Sequence, residues 1–516
     1  MKRIPIRVVL LLFTVCCLVA GASQKPAAET EPKLKERSAE VPKAEQSATQ
    51  HKITVGGATI SYTATAGTLI VRDASDLPYA SVGYVAYTQN DLADPSRRPV
   101  TFSYNGGPGS SSIWLHMGAL GPRRIVTSDA AATPPPPYTT VDNEYSILDR
   151  TDLVMIDPVG TGFSRAVGEA KDKDFWGVDP DIESISRCIR QYINENGRWN
   201  SPKYLLGESY GTTRSAGIVD YLQVREGMAF NGVILVSMAT DLTAVFDEIP
   251  GLQLPFALNL PTYTAVAWYH KILPDRPAEL APLLREARAF ALGDYWHGLA
   301  MGSDLPDPQR KAILEKLHRY TGLSIDYLDK ADLRVTKAQF AKELLRGRRE
   351  MVGQLDARFL GVSIDPLAKN AEYDPQDAAT TAAFAAAFLD YLHRDLKFSP
   401  RKTYILDANV WQAWDYRHRV AGADVPQPMV NTGVDLAHAM SFNPNLRILV
   451  QQGLYDLATP FLSTEYIVSH LDLRKDLRPH IEVKYYDAGH MMYLHEPSLK
   501  RFKEDVARFI DATDRL

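Results

Sequence analysis

The chain has 516 residues, with 57 Lys and Arg against 62 Asp and Glu for a formal net charge of −5 at pH 7, and 45% of its residues are hydrophobic. That length supports a core that needs no covalent staples. The charge is spread without a block, which argues against a nucleic-acid partner and against a stable hold on an anionic membrane surface.

Lys2, Arg3 and Arg7 precede an apolar run from Val8 to Ala20, and Ala20-Gly21-Ala22 has the small-x-small pattern of a signal peptidase site. Residues 1–22 are therefore expected to be an export signal cleaved after Ala22, giving a periplasmic or secreted chain with no stable membrane association. Cys16 and Cys17 would leave with the signal, so Cys188 would stand alone and form no intramolecular disulfide. Residues 23–50 are rich in Ala, Lys, Glu, Pro and Ser with almost no aliphatic bulk, and read as a flexible linker.

The ordered part is expected to open with antiparallel strands over 52–62, 68–72 and 80–88, at the edge of a parallel sheet. The apolar strand 99–104 then runs into the glycine-rich loop Asn105-Gly106-Gly107-Pro108-Gly109-Ser110-Ser111-Ser112. A phosphate-cradling role fails because no Lys-Ser/Thr pair follows. Pro134 to Pro137 marks a stiff loop, 153–156 a short buried strand and 182–193 a helix.

The apolar strand Tyr204-Leu205-Leu206 leads into Gly207-Glu208-Ser209-Tyr210-Gly211, a G-x-S-x-G turn that pushes a serine hydroxyl over a sheet edge. Another core strand, 233–236, completes a first core segment over 51–242. From 243 to 397 the periods are helical, predicting a cap inserted over the carboxyl edge of the sheet, with Trp268, Tyr269, His270, Trp296 and His297 either packing within it or lining a pocket. Residues 398–516 return to the core. There the strand 446–452 precedes Asp456, and the strand 481–486 precedes Asp487-Ala488-Gly489-His490, where Gly489 is read as allowing a sharp bend. No His or Cys grouping has metal-site spacing, and no cofactor is expected.

A serine hydroxyl is a poor nucleophile until an imidazole takes its proton, and a carboxylate must fix that imidazole. Ser209, Asp456 and His490 follow one another in the order that an α/β-hydrolase requires, each after an apolar strand. Ser209 is the expected nucleophile, Asp456 the orienting acid and His490 the base. The backbone N–H groups of Tyr210 and Gly107 are the expected oxyanion hole.

These segments resemble the serine carboxypeptidase-like peptidases of the α/β-hydrolase superfamily. The resemblance rests on the loop Asn105 to Ser112 with Leu120-Gly121-Pro122 beyond it, on the elbow Gly207 to Gly211, and on Asp157-Pro158-Val159-Gly160-Thr161-Gly162-Phe163-Ser164. It implies a mostly parallel α/β sheet with helices on both faces, and peptide substrates trimmed from the carboxyl end. It also implies that Asn105, Gly106 and a protonated Glu208 hold the substrate's terminal carboxylate, which favours acidic pH. Family members commonly carry Trp and Glu where this chain has Ser103 and Ala119, so the cluster for a terminal carboxylate is thinned, and Arg123 and Arg124 are candidates to compensate. The single cysteine left to the mature chain fits a bacterial exported member.

Three functions follow from this reading. A carboxypeptidase leads, supported by Asn105 and Glu208; an esterase or acyltransferase on the same frame is favoured by Ser103 and Ala119; an inactive binding module would use the same cleft. Spacing does not encode oligomeric state or side-chain preference.

Overall fold

In the computed structural model, which describes residues 41–514, fourteen strands run in chain order. They are β1 (Gln46–Val55), β2 (Ala58–Arg72), β3 (Pro78–Gln89), β4 (Val100–Tyr104), β5 (Arg123–Ile125), β6 (Thr140–Asp142), β7 (Asp152–Ile156), β8 (Arg165–Ala166), β9 (Lys203–Glu208), β10 (Gly232–Val236), β11 (Glu350–Val352), β12 (Leu360–Val362), β13 (Arg447–Gly453) and β14 (Ile481–Tyr486). The main sheet has the order β1-β2-β3-β7-β4-β9-β10-β13-β14, with β8 beside β3. From β7 to β14 all neighbours are parallel, while β1, β2 and β3 form an antiparallel edge.

The parallel strands β4, β7, β9 and β10 are buried along their whole length. That is why their sequences are continuous apolar runs rather than alternations: helices cover both faces of the sheet. The helices Val178–Glu195 and Tyr210–Glu226 pack on one face, and Pro375–Arg394 and Glu496–Thr513 supply Phe384, Phe388, Phe502 and Ile510 to the core on the other. This is the α/β-hydrolase architecture that the motif order implied.

Several boundaries differ from expectation. The signal segment and residues 23–40 of the linker lie outside the described residues, but the linker was expected to reach residue 50, and β1 already begins at Gln46 by pairing with Gly67. Gln46 to Gln50 have no run of bulk because they alternate at a sheet edge, with the pairing supplied by β2. The stretch 243–397 is not helical throughout. Helices fill Leu254–Tyr269 through Lys337–Glu343, after which β11 and β12 form a two-stranded hairpin, and Pro375–Arg394 packs on the core. Three-residue strands leave no periodicity to read.

Residues 398–432 form an irregular strap fastened by isolated bridges Ser110 to Asp407, Gly162 to Ile405 and Gly177 to Asp415. A charged tie runs through His418, whose Nδ1 lies 2.5 Å from Asp179 Oδ1 and whose Nε2 lies 2.8 Å from Asp435 Oδ2. Burial works against the charge on this imidazole, but the two carboxylates outweigh it and push its pKa up to about 9. A raised folded-state value means that the stabilisation is complete below the ordinary 6.5 and is lost as pH rises through about 9. Discounted for the exposure of Asp179, the loss is about 2 kcal/mol. Denaturant titrations at neutral and alkaline pH are expected to show it in the native chain and not in His418→Asn.

Candidate active site

The elbow between β9 and the helix Tyr210–Glu226 holds Ser209 at φ 60° and ψ −128°. This is a strained conformation for a residue with a Cβ. It is fixed by Ser209 N–H donating to Val236 O at 2.9 Å and by Ser209 O accepting from Thr212 N–H at 2.8 Å. The flanking glycines are not at positive φ; Ser209 is. Gly207 is glycine because a Cβ there would lie 2.1 Å from the carbonyl oxygen of Gly211. The turn is too tight for anything larger.

His490 follows β14 and Asp456 follows β13, which places both at the carboxyl edge of the sheet. His490 Nδ1 lies 2.8 Å from Asp456 Oδ2. Asp456 also accepts from Thr459 N–H at 2.9 Å and from the Thr459 hydroxyl at 2.6 Å. The carboxylate therefore keeps the imidazole proton on Nδ1 and leaves Nε2 as the basic nitrogen. Burial disfavours the charged imidazole, but the Asp456 carboxylate outweighs it and Glu208 adds to it, so the His490 pKa is raised.

The His490 loop is gripped by a part of the chain that the sequence did not point to. His490 N–H donates to Leu355 O at 2.6 Å, and Gly489 N–H donates to Asp356 Oδ2 at 3.0 Å, both acceptors lying in the β11–β12 hairpin loop. Asp356 is itself held by a bidentate pair with Arg358. Gly489 serves close approach rather than the bend expected of it, since a Cβ there would sit 2.4 Å from Asp356 Cα.

Ser209 and His490 line one cavity of about 510 Å³, together with Asn105, Gly106, Gly107, Glu208 and Tyr210. Gly106 packs directly on the elbow, a Cβ there falling 2.5 Å from Tyr210 N. Asn105 Nδ2 donates to Glu208 Oε1 at 2.9 Å, and its Oδ1 accepts from Leu115 N–H at 3.1 Å, which fixes the amide's orientation. Glu208 is pushed up to about 7, chiefly by burial, against the stabilising effects of His490, Tyr493 and Asn105. Its Oε2 has no hydrogen-bond partner, and neither does Ser103 Oγ or the Tyr493 hydroxyl.

The elbow and the glycine-rich loop are tied together beneath the cavity. Arg214 is fully buried, donating from Nε to Asp181 Oδ2 at 2.7 Å and from Nη1 to Asn105 O at 2.7 Å, with its guanidinium over the Tyr104 and Tyr210 rings. Arg123 and Arg124 do not compensate for Ser103 and Ala119. They pair with Asp142 and Glu496 and are absent from the cavity wall. Trp268, Tyr269, His270, Trp296 and His297 are also absent from it, whereas Trp114, Phe246 and Tyr416 contribute. Among the described residues no group of three or more His, Cys, Asp or Glu is arranged to hold a metal ion.

Residues 78–234 match the family described as serine carboxypeptidase. Over that segment the chain is similar to the serine carboxypeptidases. The match contains Asn105, Gly107, Glu208 and Ser209, and ends before Asp456 and His490. The pheromone-processing carboxypeptidase KEX1 of Saccharomyces cerevisiae is 33% identical over 124 residues, which is 24% of this chain. The chain spans 15% of the length of that curated relative. Among solved structures, Kex1(delta)p from Saccharomyces cerevisiae aligns over 87% of this chain and 92% of its own at 15% identity and a TM-score of 0.49. Proline iminopeptidase from Mycobacterium smegmatis aligns over 87% and 98% at 16% identity and a TM-score of 0.37.

Proposed function

We propose that this protein is a serine carboxypeptidase that releases residues from the carboxyl end of peptides through an acyl-enzyme on Ser209. The observation that carries the reading is a buried, half-partnered carboxyl, Glu208, in the same cavity as Ser209 and His490. A carboxyl placed beside a substrate carboxylate is useful only when it holds a proton to donate, and burial favours that form.

In this mechanism Asn105 and protonated Glu208 hold the terminal carboxylate. Ser209 Oγ attacks the preceding carbonyl carbon while its proton passes to His490 Nε2, and the backbone N–H groups of Gly107 and Tyr210 receive the developing oxyanion. Collapse breaks the C–N bond, and His490 returns the proton to the departing amine. A water molecule, deprotonated by His490, then releases the acyl group from Ser209. Protonation of Glu208 also removes one of the negative charges that raise His490.

The test compares peptides with free and amidated carboxyl ends. Cleavage of the free peptide is expected to fall by about tenfold per pH unit above a midpoint near 7, because Glu208 ionises there. Glu208→Gln donates an N–H at every pH and is expected to lose that alkaline limb. Equal cleavage of both peptides, or ester hydrolysis alone, would put the esterase or acyltransferase reading first. Export through residues 1–22 belongs to the same proposal, supported by Lys2, Arg3, Arg7 and the apolar run beyond them.

A further inference from the structure

The turn that carries His490 continues into a short 3-10 segment, Met492–Leu494, whose Tyr493 is enclosed on all sides. Its ring lies close against Gly118: a Cβ there would fall 2.5 Å from Tyr493 Cε2 and 3.3 Å from Phe384 Cζ. Gly118 belongs to the π-helical turn His116–Leu120, which also carries Ala119. The Tyr493 hydroxyl faces the Glu208 carboxyl and the Asn105 amide, but neither it nor Glu208 Oε2 meets ordinary hydrogen-bond geometry with any partner. Two buried oxygens left unpaired side by side carry a desolvation penalty that either can relieve for the other.

The groups facing Glu208 are few. Asn105 comes from the loop after β4, His490 from the loop after β14, Asp456 from the loop after β13, and Tyr493 from the 3-10 turn. Those facing Tyr493 are Glu208 and Asn105, with Gly118 and Phe384 closing the apolar side. Asn105 is committed to Oε1, and Oε2 is therefore the oxygen that carries the proton.

We propose that Tyr493 is a positioning residue for the Glu208 proton, its hydroxyl donating to Oε2 when the carboxyl is ionised and accepting from it when the carboxyl is protonated and no substrate carboxylate is present. A hydroxyl can do both from a single atom, by turning its O–H alone. Because a hydrogen bond to a carboxylate is about twice as strong as one to the neutral acid, the contact favours ionisation overall. It thereby limits how far burial raises Glu208 and keeps the acid able to exchange its proton. The proposal deepens the carboxypeptidase reading and rests on it for its effect on substrate, but the titration of Glu208 can be followed with no substrate at all.

The experiment is infrared difference spectroscopy of the whole protein across pH, following the carbonyl stretch of protonated Glu208, which is identified by its absence in Glu208→Gln. In Tyr493→Phe, which keeps the ring on Gly118, the midpoint of that band is expected to rise by about one pH unit. The alkaline limb for a free-carboxylate peptide, read as a ratio to ester hydrolysis, which feels Glu208 only through its charge beside His490, should move by the same amount. A midpoint that stays in place or falls would overturn the role of Tyr493, even if peptides are trimmed as proposed. A shifted midpoint in a protein that trims no peptide would keep the role and sink the carboxypeptidase reading instead. Equal loss of peptide and ester hydrolysis with an unmoved band would reduce Tyr493 to packing.

Discussion

Replacing Ser209 by Ala is expected to lower kcat by about a millionfold, the scale seen when a serine nucleophile is removed from a complete triad. No other hydroxyl among the residues that line the cavity stands on a strand-to-helix elbow with an imidazole beside it in the same cavity, and His490 has its proton already assigned by Asp456. Substrate binding should change little, since Asn105, Glu208 and the glycine-rich loop are untouched, so the loss belongs in kcat rather than KM. Stability distinguishes this site from an ordinary buried serine. Alanine keeps the Cβ and hence the strain at φ 60°, whereas Ser209→Gly abolishes activity equally and is expected to stabilise the fold by about 1–3 kcal/mol. Steady-state kinetics and thermal melts on the two variants check both statements. A Ser209→Ala enzyme that retains activity or still takes up a fluorophosphonate would place the nucleophile elsewhere.

The second large effect lies under the site. Asp181→Asn leaves the Arg214 guanidinium buried without its carboxylate, while Nη2 of the same group already has no partner. Breaking a buried pair in this way is expected to cost about 3–5 kcal/mol. The damage should reach the chemistry, because Arg214 also holds the carbonyl of Asn105 and stacks on Tyr210, one residue on each side of the cavity floor. Replacing both partners, as Asp181→Leu with Arg214→Met, removes the stranded charge. Denaturant midpoints should therefore rank the double variant above Asp181→Asn alone, and the opposite order would show that the ion pair is not what holds this floor.

What could be read from the sequence was what the parallel sheet imposes locally. β4, β7, β9, β10 and β13 are buried on both faces, so their apolar runs announced themselves, and Asn105, Ser209 and Asp456 follow directly from where those runs stop. β1 was cut short because its first residues depend on a partner, Gly67 and its neighbours, that local composition does not contain. The β11–β12 hairpin went unread because three-residue strands have no period, and with it went Leu355 and Asp356 as supports of His490. Tyr493 was missed for a related reason. Its meaning depends on a glycine at 118 and a carboxyl at 208, far from it in sequence and brought together only by packing. The aromatic residues near 268 and 296 could be read either as packing or as pocket lining, and composition does not separate the two: none of them lines the cavity, and Trp268 Nε1 donates to Pro277 O at 2.9 Å.

The hairpin loop that holds His490 N–H also presents Leu355 to the cavity. Shape and reactivity are therefore not separate modules in this molecule. Grafting a different hairpin between residues 350 and 362 to alter side-chain preference would also re-aim the imidazole unless the graft keeps the Leu355 carbonyl and the Asp356 carboxylate in place. Leu406 on the opposite wall is tied in the same way, its carbonyl accepting from Ser111 N–H of the glycine-rich loop at 2.9 Å, whereas Phe246 and Tyr416 meet ring edge to face and offer the cavity a surface that can be reshaped without moving either loop.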